Sequence, residues 1–279
     1  MKRLPALELI LGLSSVAALP GGCQETELSI LTYNIAGLPQ QFSGVDPQQN
    51  IPKISPLLND YDIVLIQENF MPKYGLFNET EHPFHLPNFQ PEEENNLNKS
   101  GLSSLSIFPI DRTYNQQWYN CHGVFEDCND CLTPKGFTVS EYEVMPGIWI
   151  DIYNLHMDAG DSPGDTLARA AQIEQLTAML RIRSRNKAVI VAGDTNLDLS
   201  EQYLFEKLLR EGGLRDSCTT LDCPEPYLLD KVLYKNSVWV QIEPIDWHIP
   251  VNFINAKGEP LSDHVPVTVD FKIALGNYK

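Results

Sequence analysis

Apolar residues along this chain gather into short runs divided by polar turns, and most runs have the length of strands rather than helices. Residues 28–33, 62–67 and 102–108 each predict a strand, the second rich in Ile, Val and Leu. Residues 137–144 and 148–155 predict a hairpin turning at Pro146-Gly147. Residues 188–192 are apolar without a break, as in a buried central strand. Residues 232–234, 238–242 and 265–273 complete the set of strands. Helical spacing is clear twice. Over 164–183 it puts Ile173, Leu176 and Leu180 on one face; over 200–210 it follows Ser200 as N-cap and stops at Gly212-Gly213. Many strands and few helices, with no repeat and no long linker, predict an α/β (α+β) domain of two packed β-sheets flanked by helices.

Composition bounds what such a domain does. The chain has 279 residues, 43% of them hydrophobic, enough for a real core. Its formal net charge of -17 repels nucleic acid at long range, so no stable nucleic-acid partner is expected, although a bound cation inverts the field locally. Lys2 and Arg3, the apolar residues 9–19 and Ala17-Ala18-Leu19-Pro20 read as a signal peptide over 1–20, leaving one domain over 21–279 and a secreted protein. The sequons at Asn78 and Asn98 fit that route. No later apolar run has the length of a membrane span. Cys23, Cys121, Cys128, Cys131, Cys218 and Cys223 then predict disulfides, with Cys218 and Cys223 closing a small loop. The Cys128-Asn129-Asp130-Cys131 spacing also suits a zinc knuckle or redox pair, which an oxidising compartment disfavours. A lipid anchor on Cys23 is disfavoured by Pro20 three residues before it. The acidic, Asn-rich residues 89–100 read as an exposed loop.

The chemistry sits at the strand ends. Asn34 follows the first strand, Glu68 the second, His156 the hairpin, and Asp194 and Asn196 the central strand; Asp230 opens a later strand and Ser262-Asp263-His264 precedes the last. Strand ends of a sheet protein converge on one rim. Carboxylate and amide oxygens there suit a hard cation, Mg²⁺ or Mn²⁺. Histidines beside such a cation suit phosphoryl chemistry, with water attacking in line. Any one of these residues alone is ordinary; six motifs in order, each at a strand end, are not.

This ordered set resembles the endonuclease/exonuclease/phosphatase, or DNase I-like, superfamily from residue 28 to residue 273, most specifically at Gly193-Asp194-Thr195-Asn196 and Ser262-Asp263-His264. Lys135-Gly136-Phe137, residues 101–110 and Arg169 with Gln172 are similar to the neutral, bacterial-type sphingomyelinases. The resemblance implies a four-layer sandwich of two mixed sheets and a Mg²⁺- or Mn²⁺-dependent phosphoric diester hydrolase. It places Glu68 and Asn34 at the metal, with Asp263 binding metal or supporting His264. Asp194 orients or deprotonates the attacking water, and Asn196 holds a phosphate oxygen. His264 serves as general base or phosphate ligand, oriented by Asp230, and a charged His156 stabilises the transition state. Lys135 is a substrate contact. Asp194 and His264 are both expected to face solvent. The implied substrate is a phospholipid-type phosphodiester such as sphingomyelin, taken from a membrane surface by a monomer. Trp247 and Phe253 are candidates to dip into that surface, whereas Trp239 is expected to pack in a strand. A secreted DNase I-like endonuclease is the alternative, and a non-catalytic binding protein on the same fold a third reading. Thr195 stands where a bulkier apolar residue is common, Asp158 adds an acid beside His156, and residues 118–131 form an unfamiliar cysteine-bearing insert.

Overall fold

A computed structural model describes residues 25–87, 100–123 and 127–276. The signal-peptide reading, Cys23, Asn98 and nearly all of the acidic stretch lie outside them. Twelve strands make two six-stranded sheets. In chain order they are β1 (Glu25–Asn34), β2 (Ile63–Gln67), β3 (Phe84–Leu86), β4 (Ser103–Ser106), β5 (Ile110–Gln117) and β6 (Gly136–Met145), then β7 (Ile148–His156), β8 (Val189–Asp194), β9 (Arg215–Asp216), β10 (Asp230–Lys235), β11 (Val240–His248) and β12 (Val267–Leu275). One sheet has the order β11-β12-β1-β2-β4-β3 and the other β5-β6-β7-β8-β10-β9. Both are mixed: β1–β2 and β7–β8 are parallel and the other pairs antiparallel.

Alternation along each strand assigns its side chains to layers. Leu28 and Ile30 of β1 join Ile190 and Ala192 of β8 in the core between the sheets. The intervening Leu31 and Tyr33 turn outward onto helix α2 (Pro47–Leu57), which follows the short α1 (Gln40–Ser43). Val189 and Val191 turn the other way, onto α3 (Pro163–Arg183) and α4 (Gln202–Gly212). Burial on both faces explains why β8 reads as an unbroken apolar run. The result is the four-layer helix–sheet–sheet–helix sandwich expected from the sequence.

Three elements differ from expectation. Helix α2 carries Pro52 and Pro56 in its interior, which masks its helical spacing. Asp46 caps it, accepting from Gln49 N, and Ile51 and Ile54 bury its inner face. Strand β5 is mostly exposed and shows no alternation, so only its pairing with β6 defines it. Ser200 is not the cap of α4: the chain makes a 3₁₀ turn over Leu199–Glu201 first, capped by Asp198. A fifth helix, α5 (Ser217–Thr220), leads into the loop closed by the predicted Cys218–Cys223 disulfide.

Topology delivers the rim. The parallel pairs β1–β2 and β7–β8 each end side by side, bringing Asn34 next to Gln67 and His156 next to Asp194. Strand β10 runs antiparallel to β8, so its first residue, Asp230, lies opposite Asp194. Strand β12 runs antiparallel to β1, with Val267 opposite Thr32, so the segment carrying His264 enters at the same end. Gly193 permits the close packing: a Cβ there would lie 2.0 Å from the Leu155 carbonyl oxygen, and its φ of 140° suits only glycine. Gly193→Ala is expected to destabilise the fold by about 3 kcal/mol, read as a lower urea midpoint; an unchanged midpoint contradicts this close approach.

Candidate active site

Asn34 is fixed by its own turn, its Oδ1 accepting from Ala36 N at 3.1 Å. Its Nδ2 therefore points at the acids, donating to Glu68 Oε1 at 3.1 Å and Asp194 Oδ2 at 3.0 Å. Glu68 and Asn196 both hold the left-handed backbone conformation, with φ of 58° and 49°. Such residues cost about 1–3 kcal/mol each and persist where surrounding structure enforces them. At Asn196 the reason is visible: its N–H donates to Asp194 Oδ1 at 2.9 Å and its Nδ2 to the Met157 carbonyl at 3.1 Å.

Asp194 is the hub. Its Oδ2 lies 3.4 Å from His156 Nε2 and 3.7 Å from His264 Nε2. Burial would raise its pKa, but His156, His264 and Asn34 outweigh it and hold the carboxyl below its usual range. Asp194 is 1% exposed, so it is buried and not solvent-facing as the sequence suggested, while His264 is only partly covered. His264 Nδ1 meets Asp230 Oδ2 at 2.7 Å. Burial would lower the His264 pKa, yet the hydrogen bond and charge of Asp230, with Asp194 and Asp263 nearby, raise it to about 10. His156 behaves oppositely. Burial and the neighbouring Lys135 hold its pKa well below 6.5, so its ring is neutral at neutral pH, which corrects the expectation of a charged His156.

Lys135 is buried at the same centre. It forms an ion pair with Asp130 and reaches the Met157 carbonyl at 3.3 Å. Burial would lower its pKa, but Asp130, Glu68 and Asp194 raise it, so it stays cationic. Burial raises the Glu68 pKa against the pull of Lys135 and Asn34. The partner of Lys135 was not legible beforehand: Asp130 lies in the unfamiliar insert, five positions before Lys135. There Cys131 bonds to Cys121, not to Cys128, which removes the Cys128–Cys131 redox pair and a thiolate ligand from Cys131.

Two clusters hold three metal-capable side chains each among the described residues: Asp194, Asp230 and His264, and Asp130, Asp158 and Asp165. In the second, every carboxylate oxygen is already taken. Asp130 pairs with Lys135 and Ala159 N; Asp158 accepts from His122 N and Gln172 Nε2; Asp165 accepts from Ser162 N and faces His122 Nδ1. It is a structural network tying the disulfide loop to the start of α3. In the first, His264 is engaged as an imidazolium by Asp230, which leaves oxygen donors. Asp194 and the partnerless Asp230 Oδ1 are those donors; Glu68 lies outside the cluster, tied to it through Asn34, and with one hydrogen bond it keeps oxygen donors that suit a hard divalent cation. Asp263 is exposed and accepts only from Ser262 Oγ at 3.3 Å, so the structure does not gather it with Glu68.

Beneath the site, buried amides join the sheets. Gln67 Nε2 donates to Asn154 Oδ1 at 2.7 Å, and Asn154 Nδ2 donates to the Ile66 and Ser103 carbonyls at 3.0 Å. Arg169 binds Glu201 through Nε at 2.7 Å and its second guanidinium nitrogen at 2.8 Å, and donates to the Asp158 carbonyl at 2.9 Å. Phe253 is a core residue packed edge-on against Tyr33 and does not stand free for a membrane, while Trp247 is partly buried, one side packed against the inter-sheet core. Trp239, expected inside a strand, precedes β11 and is 49% exposed.

A two-sheet sandwich whose strand ends gather acids, an imidazolium and a buried lysine is the architecture of metal-assisted phosphoesterases. Residues 31–264 match the Endonuclease/Exonuclease/phosphatase family, and the chain belongs to it. It is 32% identical over 275 residues to a sphingomyelinase of Mycobacterium tuberculosis, covering 90% of this chain and 54% of that protein. The chain thus spans about half the length of the curated relatives it matches. Its fold is similar to sphingomyelinase C from Streptomyces griseocarneus, with TM-score 0.64, 20% identity and coverage of 90% and 100% of the two chains. It is equally similar to a mutant beta toxin from Staphylococcus aureus with bound magnesium ions, with TM-score 0.64, 17% identity and coverage of 90% and 100%.

Asp158 gives the network a measurable signature. Burial, then the charge of Asp130, raises its pKa from 3.8 to about 6. A carboxyl with a raised folded-state pKa stabilises the fold fully below its unfolded pKa and loses that contribution as pH rises through the folded one. Wild-type stability is therefore expected to fall between pH 3.8 and about 6 more steeply than that of Asp158→Asn. Urea melts across that window measure it, and parallel profiles contradict the shift.

Proposed function

We propose that this protein is a secreted, metal-dependent phosphodiesterase that hydrolyses a phospholipid-type phosphodiester such as sphingomyelin. The observation that carries the reading is the unbroken chain Glu68–Asn34–Asp194 with His264–Asp230, flanked by Lys135 and a neutral His156. Glu68 would hold a divalent cation, Mg²⁺ or Mn²⁺, which when bound would polarise the phosphate as a Lewis acid and neutralise its charge.

The protein's own residues do the rest. Asp194, ionised and held by the Asn34 amide, accepts the proton of an attacking water or orients it. His264, kept protonated by Asp230, donates to a phosphate oxygen as charge builds. Lys135, cationic and shielded from solvent, adds fixed positive charge at that centre. His156 Nδ1 is buried without a partner; with Nε2–H turned toward Asp194, the neutral ring offers Nδ1 as an acceptor for the proton of a water or hydroxyl group. Asn196 supports Asp194 through its backbone N–H and would hold a phosphate oxygen only if its amide leaves the Met157 carbonyl.

The sphingomyelinase relatives support a lipid substrate, and the net charge of -17 disfavours a DNA backbone. The test is a paired assay on sphingomyelin vesicles and plasmid DNA, each with Mg²⁺ and with EDTA. Phosphocholine release that requires Mg²⁺ is expected, with intact plasmid. Because Asp194 is buried, Asp194→Asn is the cleaner variant; it and His264→Ala are each expected to lower kcat about a thousandfold. Metal-dependent nicking without lipid turnover moves the protein to the endonuclease reading, and near-normal turnover by both variants removes the assigned roles.

A further inference from the structure

A cavity of about 310 Å³ lies between β5, β6 and the segment leading into β4, outside the catalytic chain just described. It adjoins that chain at two points. Ser100 and Leu102 in its wall flank Gly101, whose carbonyl accepts from Asn69 N at 2.8 Å and whose Cβ, if present, would lie 3.2 Å from Glu68 Cα. On the other side Leu132 and Pro134 lead directly into Lys135. The cavity therefore begins one residue away from both the metal-side carboxylate and the buried lysine.

Its lining has a defined chemistry. None of the residues lining it is charged. Leu102, Leu132 and Pro134 supply apolar surface. Asn115 and Thr138, opposite each other across β5 and β6, supply an amide and a hydroxyl. Neighbouring Gln116 is already engaged, its Oε1 accepting from Tyr114 and its Nε2 donating to the Gln117 carbonyl, both at 2.8 Å. Asn115 and Thr138 make no side-chain hydrogen bond to any described residue, although Thr138 is 9% exposed. A recess with apolar walls and the unengaged side chains of Asn115, Gln117 and Thr138 suits a neutral ligand that can hydrogen-bond. A phosphate finds no cation there. A quaternary ammonium finds no carboxylate and no open aromatic box.

Resting on the phosphodiesterase reading, we propose that this recess receives the uncharged alcohol half of the substrate, and that Asn115 and Thr138 hydrogen-bond the amide and hydroxyl groups of a lipid's interfacial backbone. The cationic headgroup then projects away from the recess, and the scissile phosphate lies between Glu68 and Lys135. Discrimination for a lipid over a simpler diester thus comes from neutral hydrogen bonds left unmade by the wrong substrate.

The experiment compares two substrates that share the phosphocholine diester. Sphingomyelin in detergent micelles carries the amide–hydroxyl backbone, and p-nitrophenyl phosphorylcholine lacks it. For Asn115→Leu, Thr138→Val and the recess-filling Leu132→Trp, the readout is the ratio of kcat/KM for sphingomyelin to that for the aryl diester. Each variant is expected to lower this ratio about three- to tenfold, mainly through KM for sphingomyelin, as the loss of one neutral hydrogen bond or of access implies. Taking a ratio within one preparation removes the effect of partial misfolding. A wild type active on sphingomyelin whose ratio is unmoved by all three variants shows the recess to be solvent-filled and overturns the proposal alone. A wild type that cleaves only the aryl diester overturns the lipid reading and this subsite with it.

Discussion

One amide nitrogen joins the two halves of the site. Asn34 ends a strand of one sheet, and its Nδ2 donates both to Glu68, from the same sheet, and to Asp194, from the other. That geometry requires the sheets to hold their relative position to within a hydrogen bond's tolerance. Apolar packing between them is non-directional and does not impose such a register. The buried Gln67–Asn154 pair does, because an amide moved out of line there would leave polar atoms unpaired in the core. The polar layer under the rim fixes alignment, and the Val, Ile and Leu side chains below it supply most of the favourable burial.

Electrostatics follow from that placement. Three carboxylates, Glu68, Asp194 and Asp230, are brought together with Lys135 and His264 in a partly dehydrated space. Each counter-charge is itself anchored: Lys135 by Asp130, His264 by Asp230. His156 also faces a carboxylate, Asp194 at 3.4 Å, but complete burial and the neighbouring Lys135 outweigh it, and the ring stays neutral. Two histidines at similar strand ends are therefore driven to opposite protonation states by what lies behind them, a distinction that residue type alone does not carry.

Strands buried on two faces were legible because their apolar runs are unbroken, as in β2 and β8, and the site was legible because its polar residues terminate those runs. Elements defined by partners were not. Strand β5 lacks alternation, α2 hides its period behind two prolines, and α4 begins after a turn capped by Asp198 where Ser200 looked adequate. The same limit applied to Asn154, whose contacts lie far along the chain, and to Asp130, whose pairing with Lys135 depends on how the intervening loop folds back. Phe253 showed the converse: an aromatic residue in a loop-like stretch near the site was drawn into the core by Tyr33. Residue type named the acids, but burial decided which were open: Asp194 is enclosed, where a solvent-facing site was expected, and Asp263 is exposed.

The central claim is that a divalent cation belongs at the Glu68 corner of this rim and not in the fully bonded Asp130–Asp158–Asp165 network. Crystals soaked in Mn²⁺ and measured for anomalous scattering test it directly. The account predicts a peak in contact with a Glu68 carboxylate oxygen that disappears in Glu68→Gln. A peak within the Asp130–Asp158–Asp165 cluster, with none at Glu68, contradicts it.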